Sequence, residues 1–273
     1  MTTYDLTLPH EPPDDKAAAM TPEEVRLACR SGSFRRPTRG AALGWVHCNL
    51  VILHRRHAYD FLLYCQRNRK ACPVLEVTDP GMAEPRDLAP GCDLRTDLAR
   101  YAVFEGGERR EDRSNISNLW TQDSVAFLIG SGISFDGALE RAGVQTRRFR
   151  WIVNTEIETV AAGPFSGKLV ATMRWLTPAE AIIATEVSSR FQLAHGAPIH
   201  IGDPDQIGAD LEVPILGDPV GRPPDGYIPV FWACGVTPHN AALNARLDLL
   251  ITHAPAHGLP VDLQADRLAV ARL

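Results

Sequence analysis

In the stretch LAPGCDLRTDLARY (residues 88–101), Cys92 sits between a Pro-Gly turn and an Asp. Turn-rich, polar loops of this kind are where binding and catalytic side chains concentrate. A cysteine becomes a nucleophile when a base takes its proton and an acid orients that base, and the three meet in space rather than in sequence. Histidines that could serve stand late in the chain: His195 and His200 in HGAPIHIGDP, with Asp203 close behind, and His253 and His257 in THAPAHG. Segments that follow strands are where α/β proteins place ligands. Asp123, just before SVAFLIG, is an acid able to orient one of these rings. Metal binding by His253 and His257 is the rival chemistry, but Pro255 between them forbids the helix that would put both rings on one face. No metal or cofactor is expected. The other cysteines (Cys29, Cys48, Cys65, Cys72 and Cys234) form no C-x-x-C pair with Cys92 or one another, so free thiols are expected, with Cys48 and Cys234 in apolar core segments.

The elements that must position these groups can be read from capping and periodicity. TPEEVRLACRSG opens with Thr21 as N-cap, Pro22 at the first helical position and Glu24 closing a capping box, which predicts a helix over 21–32. Thr177 repeats the pattern in TPAEAIIATEVSSRF. WVHCNLVIL, CPVLEVTDPG, SVAFLIG, KLVATMRWL, APIHIG and YIPVFWACG read as strands, and YAVFEGGERR as part of a hairpin turning at its Gly-Gly pair. AYDFLLYCQRN, SGISFDGALERAG and NAALNARLDLL read as helical, ITHAPAHG as a loop and residues 1–20 as a tail. Strands alternating with helices predict an α/β protein. The turn that carries SVAFLIG through Ser131 into a helix gathers backbone N–H groups able to hold an oxyanion.

Bulk properties narrow the partners. The chain has 273 residues, 45% hydrophobic content and a formal net charge of -5, and its basic pairs are scattered, so nucleic acid is not expected. No run approaches the roughly 18 apolar residues of a membrane span, and the first residues lack the apolar region of a secretory signal. A cytoplasmic protein without membrane contact is expected; self-association is left open.

The motifs NLVIL, AYDFLLYCQRN, PVLEVTDPG, DLRTDL, DSVAFLIG, AGPFSG, HGAPIHIGDP, PVFWACGVTP and ITHAPAHG occur in the order of the YcsI-like family, also called the D-glutamate cyclase-like or hydro-lyase family, which the chain resembles. The resemblance implies an α/β fold with a larger discontinuous domain (21–120 and 191–273) and a smaller inserted α+β domain (121–190). It also implies a pocket lined by motif loops, with Asn49, Arg95, Ser131, His200, Asp203 and His257 as substrate-binding residues. Departures from the family pattern are Cys92 in place of Ala, Ser131 in place of Cys, His47 in place of Gln, and an altered WIVNTEIET segment around Thr155.

A thiol gained in a motif loop resembles the branch of Dieckmann cyclases that close tetramate and pyridone rings with a Cys, Asp and His triad. Carried over, the triad is Cys92, Asp123 and His253, and the partner is an acyl or peptidyl carrier protein presenting a phosphopantetheine thioester of a polyketide-amino acid chain. In that reading Cys92 takes the β-ketoacyl-aminoacyl group, His253 draws off the thiol proton, Asp123 holds the imidazole, and the stabilised carbanion attacks the acyl-enzyme carbonyl. The alternatives are a cyclase or hydro-lyase acting on a small amino or hydroxy acid, a thioesterase using the same triad, and a binding protein for a small acid.

Overall fold

The computed structural model describes residues 14–145, 150–216 and 219–270. Its organising strand is β1 (Trp45–His54), whose side chains are buried on both faces. Cys48, Leu50 and Ile52 enter one core layer, Val51 and Leu53 the other. Burial on both faces is why WVHCNLVIL reads as a continuous apolar run rather than an alternation. On one side β1 pairs along its length with β5 (Ser124–Gly130), from Cys48↔Gly130 to His54↔Ser124. On the other side it changes partner. Val51 to Leu53 pair with β10 (Leu250–His253), and residues nearer the start of β1 pair with β11 (Leu259–Gln264).

β2 (Val74–Val77), β3 (Tyr101–Glu105) and β4 (Glu108–Arg113) complete a seven-stranded sheet in the order β2-β5-β1-β10-β3-β4, with β11 also on β1. A four-stranded sheet holds β6 (Trp151–Glu158), β7 (Lys168–Leu176), β9 (Ile228–Ala233) and β8 (His200–Ile201), in that order. The named pairings are antiparallel in both sheets. Leu176, Val230 and Trp232 of the second sheet share one core with Cys48, Leu50 and Leu128 of the first.

The helices start where their caps predict. α2 (Pro22–Ser31) and α5 (Pro178–Ser188) both carry complete capping boxes, Thr21 with Glu24 and Thr177 with Glu180. α1 (Asp15–Ala19), α3 (Ala58–Arg67), α4 (Asp136–Arg141) and α6 (Val236–Asn244) complete the set. No helix among the described residues is long and apolar enough to cross a membrane.

The mixed α/β class agrees with the sequence, while several boundaries differ. β5 lies in the first sheet and β8 and β9 in the second, so the smaller sheet draws on residues 151–233. Of the expected tail, residues 1–13 lie outside the described residues and Asp15–Ala19 is helical, its first turn capped by the Asp14 carboxylate. The start of ITHAPAHG is the buried strand β10 rather than a loop. α6 begins directly after Gly235, earlier than the helical pattern from Asn240 suggests, and β6 and β11 were not foreseen.

The end of β5 is fixed by close backbone approach. Gly130 donates its N–H to Pro73 O at 2.8 Å, and a Cβ placed on it lies 1.8 Å from Leu193 O. Because backbone cannot step aside as a side chain can, Gly130→Ala should cost about 3 kcal/mol or more. Urea unfolding of the variant checks this, and a wild-type midpoint contradicts it.

Candidate functional site

Where β1 exchanges β10 for β11, the sheet opens and its backbone groups need other partners. His253, the last residue of β10, supplies one: the Leu50 N–H donates to His253 Nδ1 at 3.1 Å. On the other edge of β1, Asn49 donates from Nδ2 to Gly130 O at the end of β5, at 3.0 Å. Gly235, the N-cap of α6, packs so closely on Asn49 that a Cβ there lies 1.9 Å from Asn49 Nδ2. The fit places the start of α6 against the opening and brings His239, one turn into the helix, onto His253. Their rings meet edge to face with centroids 4.8 Å apart.

A cleft of about 1510 Å³ runs from this junction between the sheets. Asn49, His239 and His253 line it together with Ser131, Ser134, Asp136, Arg150 and His195. Three of the four non-glycine residues with positive φ among the described residues also line it: Ala42 (44°), His195 (75°) and Ala256 (63°). Such conformations cost on the order of 1–3 kcal/mol each and collect at binding and catalytic sites.

The cleft wall also gathers polar atoms that the fold leaves unsatisfied. His47 Nδ1, Ser134 Oγ and His239 Nε2 are shielded from solvent and take no hydrogen-bond partner among the described residues. Buried polar groups are nearly always paired, so a cluster of exceptions on one cleft calls for a functional explanation. Beside them, Asp136 accepts from two guanidinium groups, Arg174 Nη2 at 2.5 Å and Arg150 Nη1 at 3.1 Å. Arg174 is held over the Phe135 and Trp232 rings and is almost fully buried. Two cations on one carboxylate leave the cluster one positive charge in excess, which suits an anionic ligand. Loss of hydration brings Arg150 down to about 10, against which the Asp136 charge works, and it remains protonated at neutral pH.

The four histidines lining the cleft, His47, His195, His239 and His253, are neutral at pH 7. Burial brings His47, His195 and His239 down to about 4. His253 falls well below its ordinary value, first through burial and then through the neighbouring His239. Neutral imidazoles keep a lone pair free at pH 7, so His239 on the cleft wall can take a proton from a bound ligand, although burial makes it a weak base.

Of the residues singled out from sequence, the cleft brings together Asn49, Ser131, His195 and His253. Ser131 Oγ accepts the Ile133 N–H at 3.4 Å, closing the turn after β5. The proposed triad is not assembled. Cys92 is 4% exposed, lies outside the cleft lining and packs with Leu94, Leu98 and Tyr101. Burial first, and the adjacent Asp97 carboxylate second, push its thiol well above the ordinary value, so it stays protonated. Asp97 is itself taken by Arg30, at 2.7 and 2.6 Å. Asp123 sits at the opposite end of the sheet, where it pairs with Arg55 at 2.8 Å and accepts the Arg55 N–H on its backbone carbonyl at 2.7 Å. Since His253 is level with Leu50, five residues of β1, or about 16 Å, separate it from Asp123.

The remaining assignments also lie off the cleft lining. Arg95 is bound by its neighbour Asp93 at 2.8 Å. His200 Nε2 meets the Asp203 carbonyl at 2.7 Å, and the Asp203 carboxylate caps the turn that follows, so this pair shapes a loop. His257 is buried, with Nδ1 at 2.7 Å from Pro255 O, while its neighbours Ala256 and Gly258 line the cleft. No group of three His, Cys, Asp or Glu among the described residues is placed to hold a metal ion. Sequence reasoning missed His239, Ser134 and the Asp136, Arg150 and Arg174 cluster. The one local signal was Gly235 between a buried strand and a helix, with a histidine one turn on.

The family profile described as D-glutamate cyclase matches residues 125–262. A protein named "Putative hydro-lyase YcsI" from Bacillus subtilis is 44% identical over 257 residues, which cover 92% of this chain and 100% of that one. Proteins of Geobacillus kaustophilus and Stutzerimonas stutzeri, also named as hydro-lyases, are 45% and 46% identical, over 93% and 92% of this chain and 98% and 97% of their own lengths. A solved structure titled as a nitrogen repressor-like protein from Methanococcus jannaschii aligns over 90% of this chain and 93% of that one at 12% identity, with a TM-score of 0.36, too low to carry an inference.

Two outcomes follow from the site's electrostatics. Thiol labelling at pH 8 should leave Cys92 unmodified in the native protein and modify it on unfolding; peptide mapping reads this, and native labelling contradicts it. The buried histidines bind fewer protons folded than unfolded between about 6.5, their unfolded value, and about 4. Stability should therefore fall as pH drops through that window and level off below it. His47 and His195 each contribute at most about 1.4 kcal/mol per pH unit. Chemical unfolding from pH 7 to 4 measures the slope, and a flat profile contradicts it.

Proposed function

The chain belongs to the D-glutamate cyclase family, and from that premise we propose that it removes water from a small amino or hydroxy acid bound in the cleft, with cyclisation of a glutamate-like dicarboxylic amino acid as the leading case. The observation that carries the reading is the meeting, on one cleft, of a net-positive Arg150, Asp136 and Arg174 cluster with a neutral histidine base.

In the cyclisation, the α-carboxylate pairs with Arg150, whose charge Asp136 only half balances. The ammonium group gives a proton to His239, and the freed amine attacks the distal carboxyl carbon. A carbon–nitrogen bond forms and the carboxyl group becomes a tetrahedral intermediate, its negative oxygen held by the Ser134 hydroxyl, which has no other partner among the described residues. The carbon–oxygen bond then breaks, and the leaving oxygen takes the proton back from His239, along with the second proton of the nitrogen, and departs as water. Glutamate becomes 5-oxoproline and water, and His239 ends as it began. The same groups suit a hydro-lyase step, in which His239 takes the α-proton of a β-hydroxy acid and the hydroxyl leaves as water.

Dieckmann closure and thioester hydrolysis at Cys92 draw no support from the placement of that thiol, and the carrier protein they need has no part in the reaction proposed. Among the cysteines, the one lining the cleft is Cys234.

Incubation with D-glutamate and L-glutamate, followed by NMR for 5-oxoproline, tests the reading. One enantiomer should be converted, His239→Asn should lower the rate about 100-fold or more, and Cys92→Ala should retain it. A folded protein that converts neither enantiomer nor a small β-hydroxy acid contradicts the proposal, as does loss of activity in Cys92→Ala.

A further inference from the structure

The histidine that the sequence offers as a base, His253, is held in a state that suits the opposite task. A backbone amide can only donate, so the 3.1 Å contact from Leu50 N–H makes His253 Nδ1 an acceptor with its lone pair occupied. In a neutral ring the proton is then on Nε2. That nitrogen takes no hydrogen-bond partner among the described residues and belongs to a ring lining the cleft.

The contact is built into the fold. Leu50 N–H lies where β10 stops pairing with β1 and β11 has not begun, between the Val51↔Thr252 and Cys48↔Leu259 pairs. Were His253 to protonate at Nδ1, the amide would lose its acceptor in a buried site and two donors would face each other. Burial and the His239 and His257 rings disfavour a cation on His253, and among these neighbours the Leu50 backbone alone works the other way. His239 on α6 meets it edge to face, His257 lies in the connection to β11, and Tyr101 pairs beside it on β3 with its hydroxyl given to Leu94 O at 2.8 Å. No carboxylate among the described residues bonds the ring, although a carboxylate is what orients and charges an imidazole that serves as a base in a triad.

We propose that His253 is a neutral hydrogen-bond donor, presenting Nε2–H to the substrate oxygen that becomes negative in the transition state, while His239 moves the proton. His253 keeps its own proton throughout; it lowers the energy of the developing charge, as a neutral imidazole does when its second nitrogen is fixed by the protein. The role rests on the dehydrating reaction proposed above, whereas the tautomer does not.

The test therefore has two arms. Long-range ¹H–¹⁵N correlation of the imidazoles in the ligand-free protein, from pH 5 to 8, should show His253 with a bare Nδ1 and a protonated Nε2 throughout. A proton on Nδ1, or a doubly protonated ring, overturns the inference whatever the substrate proves to be. In the kinetic arm, with glutamate as substrate, His253→Ala should lower kcat about 100-fold or more with KM little changed, the loss typical of one oxyanion donor. His253→Gln, which restores an N–H of similar reach, should recover much of it, and the acidic limb of the pH profile should survive in both variants because His239 sets it. Equal losses in the Ala and Gln variants with disappearance of that limb overturn the donor role. Absence of turnover in the wild type strikes the proposed reaction instead, leaving the NMR arm to decide the tautomer.

Discussion

A strand in the middle of a sheet must satisfy N–H and C=O groups along both edges, and β1 cannot do so with one partner. Its β10 neighbour ends at His253 and β11 pairs only from Cys48 toward the start of the strand, so Asn49 and Leu50 are left at a gap in the ladder. One side chain closes it: His253 accepts the Leu50 N–H, while on the opposite edge of β1 Asn49 reaches Gly130 O at the end of β5. The cleft is a consequence of this repair. Filling the gap with the His253 ring leaves room beside it, and the contact of Asn49 with Gly235 sets α6, and so His239, against that room.

The charged part of the site depends on a second constraint. Arg174, nearly fully buried between aromatic rings, is tolerable because Asp136 accepts from it, and Asp136 comes from the short helix that follows the β5 turn. Arg150, entering β6, shares the same carboxylate. A lone buried guanidinium is costly, while a network with one uncompensated charge on a cleft is what an acid substrate completes. The positive-φ residues Ala42, His195 and Ala256 add strain around the same cleft, held there by the surrounding packing.

Features fixed within a few residues were legible in the sequence. The capping boxes at Thr21 and Thr177 place α2 and α5 to the residue, and the fully buried β1 and β5 announce themselves as apolar runs. β11 was hidden because Pro260 interrupts its pattern, and the early start of α6 because Gly235 and Pro238 resemble a turn. The loop of Cys92 looks exposed from its Pro-Gly turn. What buries the thiol is remote: Arg30 of α2 reaches over to Asp97 and Gly91 O, and Arg26 ties that helix to Asp262. Asn49, Ser131 and His253 were recognisable from motifs, but the Asp136, Arg150 and Arg174 cluster joins a helix, a strand entrance and a strand interior, and no spacing along the chain records that.

The central claim is that the chemistry lies at the β1 junction with His239, His253 and Arg150, and not at Cys92. Titration of isotope-labelled protein with 5-oxoproline, read by NMR, tests it most directly. The account predicts saturable shifts in the His239 and His253 ring signals and the Arg150 guanidinium, with the 88–101 loop unmoved. Shifts centred on Cys92, Asp97 and Arg30, with the junction histidines silent, would contradict it.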